Sequence, residues 1–411
     1  MINNRSSDVA IVEGQQASSL FRPQQPHFKV RLPALDGLRG VAILAVLFFH
    51  YAGGTLKQSH SLLVGPISMV IGFGWTGVDL FFVLSGFLIT GILYDTRSAP
   101  RYYKNFYARR VLRIFPAYYL LLTVYLLLTP YLHLHWRPAH LFFLAYLGYP
   151  AALVWPGLQI ISSSVIVVHL WSLSAEEQFY LVWPWMIARL RKGEGILLAC
   201  AALGGSAILL RTLILASHRL DPSWAYGFLP CRMDALAVGA ALAVLVRSSW
   251  YPQVQQWSMP GFIIAAGLVV IICGVRHSVD RYDFVIATVG YTVTAIAYGA
   301  LLLSSLKEGS VSDRFLSSKI LRTFGRYSYG LYLYHLPLAA VLHPLKDHLI
   351  AVTRSFLAGS AVYLTTAFAI NLIVAGLSFH LFESPILRLK EHFQSYSSVG
   401  DRTNRARLQT G

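Results

Sequence analysis

The feature that most limits this chain is the recurrence of apolar blocks about 20 residues long, the length at which one helix crosses a bilayer core. Backbone placed in hydrocarbon has to satisfy its own hydrogen bonds, so repeated blocks of that length predict a bundle of α-helices. Composition points the same way. Hydrophobic residues make up 55% of the chain and charged residues 13%, with a mean hydropathy of +0.54, whereas soluble domains carry about 25% charged residues. A formal charge of +16 would suit a nucleic-acid partner. The basic residues, however, lie in the connections between apolar blocks, as they do in the inside loops of membrane proteins, and nucleic acid is excluded on that ground. Cys200, Cys231 and Cys273 have no metal-like spacing and imply no disulfide framework. No metal is expected. The polar, basic N-terminus runs directly into the first block without a cleavable signal peptide, and no internal repeat of the inverted-transporter kind is present.

The blocks lie near 34–52, 69–94, 109–132, 139–155, 174–190, 195–217, 229–247, 260–275, 284–306, 328–345 and 357–382. Charge then limits which of them cross. Arg97, Arg101, Lys104, Arg109, Arg110 and Arg113 follow the second block, and Arg189, Arg191 and Lys192 follow the fifth. Both clusters belong inside, which requires that the fourth block lie on or dip into the outer side. Gly148, Pro150 and Pro156 break that block, as suits a surface-lying or re-entrant segment. The expected architecture is an all-α, polytopic membrane bundle of about ten transmembrane helices. It comprises a mobile cytoplasmic tail over 1–33, a membrane domain over 34–386 and a cytoplasmic C-terminal tail over 387–411.

Charged groups at membrane depth are costly, face the bundle interior and usually have a task. They fall into two layers here. In LPALDGLRGVAILAVLFFHYAGG, Arg39 and His50 are eleven helical steps apart and so share a face, about 16 Å apart along the axis. Asp36 lies on the same stripe. Taken singly, Arg39 also reads as an inside anchor and His50 as a hydrogen-bonded core residue. Asp79, in GWTGVDLFFVLSGFLITGILY, sits near the outer helix end at a level comparable to His50, as a helix cap, a catalytic partner or both. Gly86, seven residues on, permits close approach of another helix. Glu176 and Glu177 open the fifth block in HLWSLSAEEQFYLVWPWM, where the Ser172-Leu173-Ser174 run offers a cap, and both are placed at the outer level. Arg232 and Asp234 in LPCRMDALAVG join that level, as does His335 in SYGLYLYHLP, which by itself reads as a satisfied core histidine. The inside layer holds Arg109, Arg110 and Arg113 of YARRVLRIFP, suited to bidentate phosphate binding or to plain anchoring. The remaining histidines, including His133 and His135, read as interfacial.

LDGLRG with Arg39 and His50 eleven apart, GVDLFFVLSGF, RRVLRIFP, WSLSAEEQFY, CRMDALAVG, SYGLYLYH and FESP occur in this order from about Asp36 to Pro385. In this the chain resembles the acyltransferase-3 family of integral-membrane O-acyltransferases. The resemblance implies transfer of an acyl group, commonly acetyl from cytoplasmic acetyl-CoA, to a hydroxyl of a cell-envelope or exported carbohydrate. It implies His50 as the catalytic signature residue together with Arg39, and matches Arg109, Arg110, Arg113 and Glu176 to other family motifs. A stand-alone member is expected, without the hydrolase-like domain that some members carry after the last helix.

His50 would act as general base on the acceptor, oriented by Asp79 or Glu176, or would carry the acyl group itself. Arg39, Arg109, Arg110 and Arg113 would bind the acyl-CoA donor, and Glu177, Arg232, Asp234 and His335 the acceptor. The expected setting is the inner (cytoplasmic) membrane, in contact with membrane lipid, with both termini cytoplasmic. Two other readings stand beside this one. The first is the same chemistry on a macrolide-like small molecule. The second is a glycan-precursor transporter that uses its acids and histidines as a proton relay.

Overall fold

A computed structural model describes residues 32–56, 64–133, 135–155, 160–162, 165–190 and 192–393. The expected N-terminal tail up to residue 31 and the C-terminal one beyond residue 393 lie outside these residues, as do Arg191 and Pro156, whereas residues 387–392 of the expected C-terminal tail are helical turns within the described fold. The described residues contain ten helices of 13 residues or more. In chain order they are α1 (Pro33–Leu56), α2 (Gly77–Thr96), α3 (Tyr102–Leu127), α4 (Leu170–Arg189), α5 (Gly193–Ser217), α6 (Met233–Leu245), α7 (Ser258–Arg276), α8 (Tyr291–Ser305), α9 (Ser328–Thr353) and α10 (Phe356–Ser378). Apart from one short antiparallel pair, Ile160–Ser162 with Val165–Ile166, the described fold is helical. Seven helices are long and apolar enough to cross a membrane, against the ten expected. The other three are α4, α6 and α9. α4 carries Glu176, Glu177 and Arg189, α6 has only 13 residues, and α9 is interrupted by Pro337 and Pro344. The molecule is an all-α, multi-pass membrane bundle.

The fourth apolar block forms no single long helix. It breaks into a 3-10 segment, Pro138–Ala145, and a seven-residue helix, Gly148–Val154. Seven residues rise about 10 Å, far short of a hydrocarbon core about 30 Å thick. Tyr146 takes a left-handed conformation between the two pieces, with φ of 57°.

Burial sorts the helices into a centre and a shell. In the segment containing α2, 78% of the span is buried within the protein, whereas in α7 only 11% is, leaving Ile264, Val270 and Ile271 turned outward. Small residues set the central contacts. Gly86 of α2 lies against the Leu236 carbonyl of α6, and Gly239 of α6 lies against the Val83 carbonyl of α2, so a side chain at either position would strike backbone. This is the close approach that Gly86 predicts, made by two glycines reciprocally. The start of α1 is held in the same way, with Gly37 and Gly40 against the Leu316 and Leu321 carbonyls. The glycines of LDGLRG thereby bring the segment that carries Arg39 down onto residues 311–326.

Two wide helical turns, Ile286–Gly290 before α8 and Phe379–Glu383 after α10, interrupt the regular hydrogen-bond ladder. Such turns leave carbonyls free for other partners and often mark functional places. The Thr288 carbonyl in the first of them accepts a hydrogen bond from Arg211 at 2.8 Å.

Candidate active site

Arg39 of α1, Arg110 and Arg113 of α3, and Glu176, Glu177 and Tyr180 of α4 line one cavity of about 220 Å³. Its other walls are the Ser85 face of α2 and Ser328, Tyr329 and Tyr332 of α9. Arg110 and Arg113 share a helical face because they are three residues apart. Arg109 does not line this cavity and reaches the Phe393 carbonyl at 3.4 Å instead. Glu176 is held by the Ser85 hydroxyl at 2.7 Å and by Tyr180, one turn on, at 3.3 Å. Glu177 keeps a buried carboxylate oxygen without a hydrogen-bond partner among the described residues. Arg39 bonds to Asp36 at 3.2 Å.

A second cavity adjoins the first and shares Arg39, Arg113 and Tyr329 with it. Its lining adds Asp36, Arg326, Glu383 and Lys390. Glu383, from the FESP string, accepts from Ser378 at 3.0 Å. Four cations, Arg39, Arg113, Arg326 and Lys390, thus line this second cavity.

A third cavity, of about 90 Å³, meets the first at Val78 and Tyr332 and contains His50. Here three histidines converge. Nδ1 of His50 lies 3.0 Å from the Val46 carbonyl and 3.2 Å from Nε2 of His335. Nδ1 of His335 lies 2.5 Å from the Tyr332 carbonyl, and the His169 and His335 rings meet edge-on at 5.1 Å. Carbonyl oxygens only accept, so both Nδ1 atoms carry hydrogen. A neutral His335 then presents a lone pair at Nε2 to the His50 Nδ1–H. The remaining nitrogen of His50, Nε2, is left with a free lone pair. That is the state a general base or nucleophile requires. Tyr332 braces the group by donating to the His169 carbonyl at 2.9 Å, and its hydroxyl pairs with Ser172 at 2.6 Å.

Several residues stand elsewhere than the sequence places them. Glu176 and Glu177 are not level with His50. α4 starts at Leu170, without a side-chain cap, so Glu176 lies about 9 Å into the helix and faces the arginines. Ser172 and Ser174 lie inside that helix rather than capping it.

Asp79 pairs with Arg232, the first only 1% exposed and the second fully buried, and neither lines the three cavities. Asp234 accepts from Arg211 at 2.8 Å and from Thr292 at 2.6 Å. His335, expected on the acceptor side, touches His50 itself. His169, counted among the interfacial histidines, is 3% exposed and belongs to the cluster. No local sequence signal marks it, because its partners are on α9. Among the described residues no group of three or more His, Cys, Asp or Glu is arranged to hold a metal ion.

The arrangement defines a polytopic helical membrane protein with a cationic cluster and a histidine cluster in neighbouring cavities that share lining residues. The chain belongs to the acyltransferase-3 family, whose model, described as an acyltransferase domain, matches residues 32–379. It is similar to the peptidoglycan O-acetyltransferase OatA of Listeria monocytogenes, at 27% identity over 373 residues, covering 86% of this chain and 56% of that protein. A putative peptidoglycan O-acetyltransferase of Bacillus subtilis, YrhL, is 27% identical over 404 residues, covering 89% of this chain and 56% of the relative. The O-acetyltransferase OatA of Staphylococcus aureus is 27% identical over 329 residues, covering 75% of this chain and 50% of the relative. The chain therefore spans about half the length of the curated relatives it matches. No solved structure matches it.

Proposed function

We propose that this chain is a membrane O-acyltransferase that moves an acyl group, most simply acetyl, from cytoplasmic acyl-CoA to a hydroxyl of a cell-envelope carbohydrate. One observation carries the reading: three cavities with shared walls run from Arg39, Arg110, Arg113 and Lys390 to the free Nε2 of His50. Acyl-CoA has phosphates at one end of a long arm and a thioester at the other. The arginine end, in this reading the cytoplasmic one, would hold the phosphates by charge-assisted hydrogen bonds. The arm would then lead the thioester toward His50. Nε2 of His50 takes the proton of the acceptor hydroxyl as its oxygen attacks the thioester carbonyl. The C–O bond forms, the C–S bond breaks, and the proton passes to the departing thiolate. His335 positions the imidazole by accepting from its Nδ1–H. Asp79 and Arg232 serve the packing of α2 against α6 rather than the chemistry. The names of the relatives, all O-acetyltransferases, support acetyl as the group and peptidoglycan as one candidate acceptor.

The test is reconstitution in proteoliposomes with radiolabelled acetyl-CoA supplied on the Arg39 side and a glycan acceptor on the other. Labelled ester on the glycan together with free CoA thiol is the expected result. Glycan movement across the bilayer without ester formation would overturn the proposal in favour of transport.

A further inference from the structure

The His50 cavity also contains Arg281, from the loop between α7 and α8. Its guanidinium sits among aromatic faces, 4.8 Å from the Tyr226 ring centroid, 4.9 Å from Tyr282 and 5.6 Å from Phe49. The nearby buried arginines Arg211 and Arg232 are each paired with a carboxylate. Arg281 makes no ion pair with one among the described residues, and its Nε is buried without a hydrogen-bond partner. The neighbouring acids are engaged elsewhere. Asp283 pairs with Arg276 at 3.0 Å and caps the next helix turn through the Val285 N–H at 3.0 Å. Asp280 accepts from the Tyr282 N–H at 3.0 Å.

The loop is also fixed in place. Trp75 donates to the Val279 carbonyl at 3.0 Å, and Tyr291 to the Arg281 carbonyl at 2.5 Å. Arg281 is therefore a preorganised cation that shares a hydrogen bond with Tyr282, keeps an unpartnered Nε and lines the same cavity as His50. A planar guanidinium in that state is suited to a bidentate oxyanion. Trp171 and Tyr149 add aromatic wall to the same cavity.

We propose that this cavity is the acceptor subsite and that Arg281 selects a carbohydrate bearing a carboxylate or phosphate near the hydroxyl to be acylated. This rests on the acyltransferase reading for its placement but not for its measurement, because binding is read without turnover. The full chain in nanodiscs is titrated with three disaccharides: a neutral one, its C6-oxidised uronate and its 6-phosphate. A charge-assisted pair predicts that at least one anionic form binds about 10- to 150-fold more tightly than the neutral form, and the two anionic arms tell carboxylate from phosphate. In Arg281→Gln that preference should fall to about one, and Arg281→Lys should restore part of it. Equal binding of all three by the wild type, or a preference that survives Arg281→Gln, overturns the proposal.

Acetyl transfer from acetyl-CoA to the same disaccharides is followed in parallel. Absent transfer with the charge preference intact would strike the acyltransferase reading and leave the anion subsite standing. An equal loss of turnover on neutral and acidic acceptors in Arg281→Gln, without a change in relative affinity, would assign Arg281 to the reaction centre and refute selection.

Discussion

Replacing His50 with glutamine separates the chemistry of the site from its packing. The amide is close in size to the imidazole and retains an N–H donor. It can still serve the Val46 carbonyl and the Nε2 of His335, the two partners of Nδ1 at 3.0 and 3.2 Å. The stability cost should therefore stay within about 1 kcal/mol, the net worth of one ordinary hydrogen bond. What glutamine lacks is a basic lone pair in place of Nε2. General-base assistance contributes about 10²–10⁴-fold, so turnover should fall by that factor, equivalent to about 2.7–5.5 kcal/mol of barrier. His335→Phe should fall between this variant and wild type. It keeps a ring but removes one of the two acceptors that hold the His50 tautomer, and losing about 0.5–1.5 kcal/mol of orientation gives about a 2- to 13-fold loss. The assay is ester formation from labelled acetyl-CoA in proteoliposomes, alongside thermal unfolding of each variant. Near-normal turnover in a well-folded His50→Gln protein would refute the reasoning and make the imidazole structural. A His335→Phe loss as large as that of His50→Gln would show that the two rings act as one unit.

Arg39→Ala, Arg110→Ala and Arg113→Ala should each weaken acyl-CoA binding by about 10- to 150-fold in equilibrium titration, whereas Arg109→Ala should leave it nearly unchanged, because Arg109 faces the Phe393 carbonyl. Unchanged affinity across the first three would place the donor elsewhere. Asp79→Ala strands the fully buried Arg232 without its counter-charge and should cost about 3–5 kcal/mol of stability, measured as a lowered unfolding midpoint; a stable but inactive variant would instead return Asp79 to the chemistry. Reporter fusions near Lys192 and His218 should register as cytoplasmic and external respectively, and an external signal at Lys192 would make residues 139–155 cross the bilayer.

Much of the architecture was legible from periodicity and charge, because both act locally along the chain. Blocks of bilayer length dictate helices, and eleven steps at 100° put Arg39 and His50 on one stripe of α1. The three-residue spacing of Arg110 and Arg113 sets them on one face, and Gly148 and Pro150 disfavour a single long helix over residues 139–155. Pairings between distant segments were not legible. Asp79 looked available for catalysis until α6 brought Arg232 to it from 153 residues away. Glu176 looked like a helix-start acid because Ser172 and Ser174 are good caps. In the fold, the Ser172 hydroxyl meets Tyr332 instead and the helix begins earlier, which carries Glu176 down to the arginines.

His169 and Arg281 carried no local signal, since what defines each is a ring, a carbonyl or a cavity supplied by other helices. The sequence by itself determined a helical membrane protein and the line joining its cations to His50, because helix geometry and the cost of charge in lipid follow from residue order alone. Which acid faces which cation, which nitrogen of His50 is left free, and that Arg281 faces the His50 cavity without a carboxylate partner were decided by helix packing, because each depends on the position of groups far away in the chain.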